Sequence, residues 1–429
     1  MEEIACEYLE IAQATGEQMK KLLLISAVAA STLMASGYKV PEQSLNSTAL
    51  AGAYVSNANT ADTTYYNPAN MAFMGENTYF EMNLMYISLN EVSYEGNVGP
   101  MPASAQSQHE SFVIPQLYLV SAPLGEDEDV RLGLSINAPA GLSKRWSDGV
   151  PYQMAEEFSL TVIEVNPTIS YRFAEGFSIA GGARFVYAEG KVKVPGVALP
   201  GPAGGSIGTL DVEGSSWNMG WNAAIAYKPF DVWGLALTYR SNVDLDVDGG
   251  QKVTDMPYTG MGLRSIPASV SVPLPAVATF ATDADITSST NLEFVYERTF
   301  WSAYDELQFS FGGNDAPADP KDWKDTNTFR LGLTQGLGDS VNLMIGLAYD
   351  ETPVPAKTIG FELPDSEAYI GSIGVRWAVS DSVDIGAAFL YDSKSDRTID
   401  ASDQNTKGIN GTFSNSYAMI GSLGLGYKF

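Results

Sequence analysis

The sequence predicts an all-β protein: a transmembrane antiparallel β-barrel of about 14 strands with an N-terminal hatch inside its lumen. Three observations carry that reading. Most of the chain after residue 78 alternates between apolar and small or polar side chains, the period of a strand with one face in an apolar medium. Long polar or Gly/Pro-rich connectors alternate with short ones along the same stretch. A short apolar run behind two lysines stands near the start, the pattern of a secretory signal. Composition agrees. Charged residues make up only 17%, while Gly (41), Tyr (22) and Phe (18) are frequent. Mean hydropathy near zero is far too polar for a helical membrane protein.

Residues 1–18 hold five Glu and no base, the wrong sign for the start of a signal peptide, and are read as a spurious extension ahead of Met19. Residues 19–36 form the signal peptide. Met19-Lys20-Lys21 precedes an apolar run from Leu22 to Ala35, too short to span a membrane comfortably, and cleavage is expected between Ala35 and Tyr38. Cys6, the sole cysteine, falls in the extension, so the mature chain is expected to have no thiol chemistry.

Residues 37–78 lack strand periodicity and are assigned to the hatch. The stretch Thr48 to Tyr54 is small and weakly helical, and an Asn-, Thr- and Ala-rich segment runs on to Asn67-Pro68-Ala69. Residues 79–429 are assigned to the barrel. In the last segment Tyr417, Met419, Leu423, Leu425, Tyr427 and Phe429 share one face, and Ala418, Ile420, Ser422, Gly424 and Lys428 the other. The apolar row faces lipid and the small or polar row faces the lumen. Val341–Tyr349, Val383–Tyr391 and Trp233–Tyr239 repeat the pattern. Long connectors fall at 91–111, 143–160, 195–214, 249–267, 313–325, 351–366 and 393–413, and six short ones lie between them. That count gives about 14 strands with both termini on the short-turn side.

These residues resemble a known family. Ser36-Gly37-Tyr38, Gln43-Ser44, Ala51-Gly52-Ala53-Tyr54, Ala61-Asp62 and Asn67-Pro68-Ala69 resemble, in order and spacing, the N-terminal hatch of FadL-type transporters. Gly220-Trp221-Asn222-Ala223, Leu237 to Ser241 and Tyr349 to Ala356 followed by Leu363-Pro364-Asp365 look like that family's later strands and long outer loop. The resemblance covers nearly all of residues 36–429. It implies a 14-stranded plugged barrel in the outer membrane of a Gram-negative bacterium. It also implies uptake of long-chain fatty acids by gated passive diffusion with lateral exit into the membrane. Aromatic hydrocarbons carried the same way are one alternative, and a general diffusion porin is another.

Candidate site residues follow. Asn67, Pro68 and Ala69 form the hatch motif that the resemblance points to. In the third strand, Asn137, Ala138, Pro139 and Gly141 mark an expected inward kink: Pro139 has no N–H for a ladder, Gly141 can take angles that bend the strand, and the resemblance implies a lateral opening there. By parity, Met344, Ile370 and Leu390 are candidate apolar ligand contacts in the lumen. Arg240, Arg330 and Arg376 are candidate partners for a carboxylate or members of an internal ion-pair ladder. Phe429, closing the lipid-facing row, reads as an assembly signal for the barrel-insertion machinery.

No enzyme is expected. The one histidine, His109, lies in the first outer connector beside Gln108 and Glu110, where solvation is the expected state. No Cys/His spacing suggests a metal, and no cofactor is implied. A net charge of −27 argues against nucleic acid as a partner. The expected partners are a hydrophobic small molecule, outer-membrane lipid and lipopolysaccharide, with the chain a monomer.

Overall fold

In the computed structural model, residues 37–199, 206–255 and 264–429 are described. The extension and signal-peptide assignments therefore lie outside the described residues. Fourteen antiparallel spans close into a barrel. They are β1 (Tyr79–Leu89), β2 (Glu110–Val120), β3 (Val130–Asn137 and Gly141–Arg145), β4 (Glu157–Ala174), β5 (Phe177–Leu199), β6 (Ser206–Phe230) and β7 (Trp233–Arg240 and Val243–Asp255). Next come β8 (Arg264–Leu274 and Val277–Thr287), β9 (Thr290–Thr299), β10 (Thr326–Leu337), β11 (Val341–Asp350), β12 (Ala368–Ala378), β13 (Val383–Lys394) and β14 (Tyr417–Lys428). Closure is made by β14 on β1, from Lys428↔Tyr79 to Ala418↔Leu89. It joins the first span to the last, so most backbone groups that cross lipid are paired within the wall.

The alternation sorts the side chains as the sequence predicts. Met419, Leu423, Leu425 and Tyr427 are exposed on the outer surface, while Ala418, Ile420 and Ser422 are buried. Tyr, Trp and Phe rows ring the outside, among them Trp217, Trp221, Tyr171, Phe173, Trp377 and Tyr391, as interfacial girdles require.

Two connectors need correction. Residues 195–214 and 249–267 are mostly strand: β5 continues to Leu199, β6 begins at Ser206, β7 continues to Asp255 and β8 begins at Arg264. These spans rise beyond the length a bilayer needs, where no lipid imposes the apolar row, so the periodic signal fades although the ladder continues. A four-stranded sheet of Ser93–Val98, Met101–Gln106, Arg397–Ile399 and Ile409–Ser414 stands over the outer end.

The chain before β1 fills the lumen, and most of its residues from Gly37 to Ala72 are buried. It carries helix α1 (Leu45–Ala49), capped by the Ser44 hydroxyl, which accepts from Ser47 N at 3.2 Å. Helix α2 (Thr63–Tyr66) and a 3-10 turn at Pro68–Phe73 follow. Helix α1 packs on β11 to β14, and the 3-10 turn on β3 to β6. Three wall strands break, β3 at residues 138–140, β7 at 241–242 and β8 at 275–276.

Candidate functional site

The hatch is held by wall carboxylates and guanidinium groups that point inward. The Glu293 carboxylate accepts from the backbone N–H groups of Val55 (2.7 Å), Ser56 (2.6 Å) and Asn57 (3.3 Å), and the Ser56 hydroxyl donates to Asp283 at 2.6 Å. Arg330 donates to Ala51 O at 2.9 Å, with Glu42 and Glu297 within 4 Å. Lys39 of the hatch pairs with the same Glu297. Arg376 joins Glu81 (3.0 Å) and Asp384 (2.5 Å) and donates to Asn46 of the hatch at 3.1 Å. Arg240 and Arg184 share Glu164, and Arg240 lies 4.2 Å over the Tyr65 ring. Buried charges of this kind are costly unless paired, and every one of these arginines is paired. Arg240, Arg330 and Arg376 thus sit in the lumen, engaged by acids.

Asn67 caps the 3-10 turn: its side-chain oxygen accepts from Ala69 N at 3.2 Å, and its amide donates to Val55 O at 3.2 Å. Pro68 stands at the first position of the turn, where a missing N–H costs nothing. Ala69 packs against Ala224 and Ala226, and its carbonyl accepts from Ser178 at 2.7 Å. The motif therefore fastens one hatch segment to another and to β5 and β6.

The wall is incomplete between β2 and β3. These strands pair only from Leu117↔Ile136 to Val120↔Gly133. Above that, the β3 backbone at Asn137, Ala138, Pro139 and Gly141 turns to the hatch. The Gln43 side chain donates to Ala138 O (2.8 Å) and accepts from Ala138 N (3.0 Å). Val40 N donates to Pro139 O (2.9 Å), and Gly141 N donates to Tyr38 O (2.9 Å). Higher still, Arg145 pairs with Glu110 and Gln108 N donates to Arg145 O at 2.8 Å, restoring contact. The result is a window framed by β2 and β3 whose β3 side is hydrogen-bonded to the hatch at Ala138, Pro139 and Gly141.

Toward the outer end lies a narrow apolar pocket with a cavity volume of about 90 Å³. Leu142, Leu160, Val192, Val247, Val270 and Trp323 line it. Tyr38 forms part of its wall, its ring edge-on to Trp301 at 4.8 Å. A second space, lined by Lys39, Pro41, Pro139, Leu274 and Pro275, lies across that hatch segment, beside the breaks in β3 and β8. Lys321 and Glu362 reach the apolar pocket from the loops. Lys321 contacts Glu362 (2.7 Å) and Asp319 (2.8 Å), and Lys407 contacts the same two acids (2.6 and 3.1 Å). Burial acts to raise the Glu362 carboxyl, but the two ammonium groups outweigh it and hold it well below the usual range. Lys321 is raised: burial lowers it, and Glu362 and Asp319 more than compensate.

Met344, Ile370 and Leu390 are buried in the lumen. Met344 packs in the hatch cluster around Leu45 and Leu50, and Ile370 and Leu390 belong to the main core; the apolar pocket is lined by other residues. The sequence placed Tyr38 and Gln43 in the hatch without their contacts, and gave no sign of Glu293 or the Lys321 cluster, whose partners lie mostly far away in sequence. His109 is exposed, with Nε2 2.9 Å from the Ser88 hydroxyl. Phe429 is exposed, and its N–H donates to Thr78 O at 3.0 Å.

A closed barrel with a filled lumen, an apolar pocket and an unzipped wall defines a plugged outer-membrane transport barrel. The chain belongs to the family described as outer membrane protein transport protein (OMPP1/FadL/TodX), whose model matches residues 26–429. It is similar to a long-chain fatty acid transport protein of Escherichia coli O6:H1, 25% identical over 366 residues, covering 76% of this chain and 80% of the relative. A 47 kDa outer membrane protein of Pasteurella multocida is 25% identical over 407 residues, covering 88% and 92%. Among solved structures, a Pseudomonas aeruginosa FadL homologue superposes with a TM-score of 0.79 at 21% identity, covering 91% of this chain and 99% of that one. The Ralstonia pickettii toluene transporter TbuX gives 0.69 at 16%, covering 90% and 98%. The protein is an outer-membrane β-barrel of this transporter family.

Proposed function

We propose that the protein carries long-chain fatty acids or related hydrophobic molecules inward across the outer membrane by passive diffusion, with the hatch as the gate. The single observation that carries this reading is the hatch segment Tyr38–Gln43. It lines the apolar pocket at Tyr38 and satisfies the open backbone of β3 at Ala138, Pro139 and Gly141. One short strip of chain thus touches both the ligand's resting place and the way out. Occupancy of the pocket displaces Tyr38, the pairing with β3 loosens, and the ligand leaves sideways into lipid through the β2–β3 window. Lateral exit spares an apolar chain the aqueous compartment, worth about 0.8 kcal/mol per methylene.

The transporter works without a catalytic step or cofactor. Its further partners are the barrel-insertion machinery during assembly and lipopolysaccharide around the outer girdle, and it acts as a monomer. Aromatic hydrocarbons are the second substrate reading, favoured by the pocket's aromatic wall of Tyr38, Tyr304 and Trp323. Growth of a deletion strain, complemented with this chain, on oleate and on toluene tests the proposal. Growth restored on either carbon source is the expected result. Ohmic ion conductance in planar bilayers with no gain in growth on either would instead indicate a general diffusion porin.

A further inference from the structure

The pocket's charge bears on which ligands it accepts. A site built for a carboxylate normally aims an unneutralised Arg or Lys at the place where the headgroup lies. Here the described lining has two cations, Lys321 and Lys191, and both are already engaged. Lys321 lies between Glu362 and Asp319, and Lys191 contacts Glu157 at 2.7 Å. Lys407 approaches only by sharing the acids that Lys321 uses. Glu213 adds a further acid to the lining and has its own partner. Among the described residues, the groups in and directly behind the lining are three lysines and four carboxylates. A headgroup carboxylate entering this pocket therefore meets, among the described residues, no cation that lacks a carboxylate partner. Burying it there costs solvation that no partner returns.

The third N–H of the Lys321 ammonium is different. Two of its three donors go to Asp319 and Glu362, and the remaining one can serve a neutral oxygen without any net charge being needed. Most of the rest of the lining, from Leu142 and Leu160 to Val270 and Trp323, offers apolar contact.

We propose that this pocket selects uncharged hydrophobic ligands, long-chain alcohols, esters, hydrocarbons or the protonated form of a fatty acid, over the carboxylate. The inference rests on the transport reading, because it takes the pocket to be the ligand's resting site. It has a counterintuitive consequence. Removing an acid from the pocket improves binding of the ionised fatty acid, and removing the lysine does not create a site for it.

The test uses the mature chain in detergent micelles. Quenching of tryptophan fluorescence, to which Trp323 at the pocket contributes, follows titration with 1-dodecanol and with dodecanoate. At about pH 8, dodecanol binds at least about tenfold more tightly, the discrimination expected when a buried charge lacks a partner. The gap closes as pH falls toward about 5, where more of the acid is neutral. Glu362→Gln narrows the gap about tenfold at pH 8 by raising dodecanoate affinity, and Lys321→Met widens it. A heat-modifiable band confirms that each variant is a folded barrel. Equal or tighter binding of dodecanoate at pH 8, or a Glu362→Gln protein with the wild-type ratio, overturns the selectivity while leaving the transport reading intact. If neither ligand quenches at any pH, the pocket is not the resting site and both readings fall.

Discussion

Substituting Gly52 by Ala isolates the seating of the hatch from the folding of the barrel. Gly52 ends the turn after α1 with φ at +78°, a conformation that costs a Cβ-bearing residue about 1–2 kcal/mol. A Cβ there would lie 2.6 Å from Arg330 Nη1 and 2.9 Å from its Cζ. Arg330 cannot simply swing away, because it donates to Ala51 O at 2.9 Å and faces Glu42 and Glu297. Losing that charge-assisted bond costs about 1.5–3 kcal/mol more. Together the penalty on the seated hatch is about 2.5–5 kcal/mol, a rise in the displaced population of about seventyfold at the low end and more than a thousandfold at the high end. The barrel ladder on either side of Arg330, to β9 and β11, does not depend on Gly52. The assay is conductance in planar bilayers alongside heat-modifiability on gels. Expected is a folded barrel with frequent ion-conducting openings that the wild type lacks. A folded Gly52→Ala barrel as silent as wild type would refute the claim that this cluster seats the hatch.

Other outcomes follow from the same geometry. Asn67→Leu removes the cap on Ala69 N and a bond to Val55 O, a loss of about 1–2 kcal/mol; ligand uptake falls while barrel yield holds, and an equal fall in heat-modifiable barrel would assign the motif to folding instead. Deleting Phe429, which lies exposed at the end of the lipid-facing row, lowers outer-membrane levels and raises periplasmic degradation, measured by fractionation and immunoblot. Glu362 has a folded pKa depressed below its unfolded value, so the stability its ion pairs give is complete above about pH 4.3 and is lost as pH falls through the folded value. Protease resistance of the outer loops is therefore constant from neutral pH to about 5 and declines only in stronger acid; loss beginning near pH 6 would contradict the assignment.

How much of this was legible in the sequence depends on where lipid acts on the chain. Tyr417 to Phe429 could be assigned face by face because the bilayer demands an apolar row on one side. The arms of β5, β6, β7 and β8 beyond the membrane meet no such demand, and 195–214 and 249–267 read as connectors although the ladder runs on. Parity alone placed Arg240, Arg330 and Arg376 in the lumen, but not their partners. Glu164, Glu297 and Glu81 come from other strands, and Ala51 and Asn46 from the hatch. Pro139 and Gly141 marked the irregularity in β3, and Gln43 stood in the hatch resemblance, yet nothing local tied Gln43 to Ala138 across 95 positions of sequence. Contacts that form only when a barrel closes around its own N-terminus leave no periodic trace.

The proposed exit for the ligand is the wall between β2 and β3. Gly141, whose N–H meets Tyr38 O on the hatch, stands at the upper side of the break in β3, and arginine there fills the window with bulk and charge. The most direct measurement is the initial uptake rate of radiolabelled ligand into cells expressing Gly141→Arg at wild-type surface levels, with binding to the purified protein measured in parallel. Binding is expected to persist and uptake to fall to the level of the deletion strain. Wild-type uptake through a correctly folded Gly141→Arg barrel would contradict it.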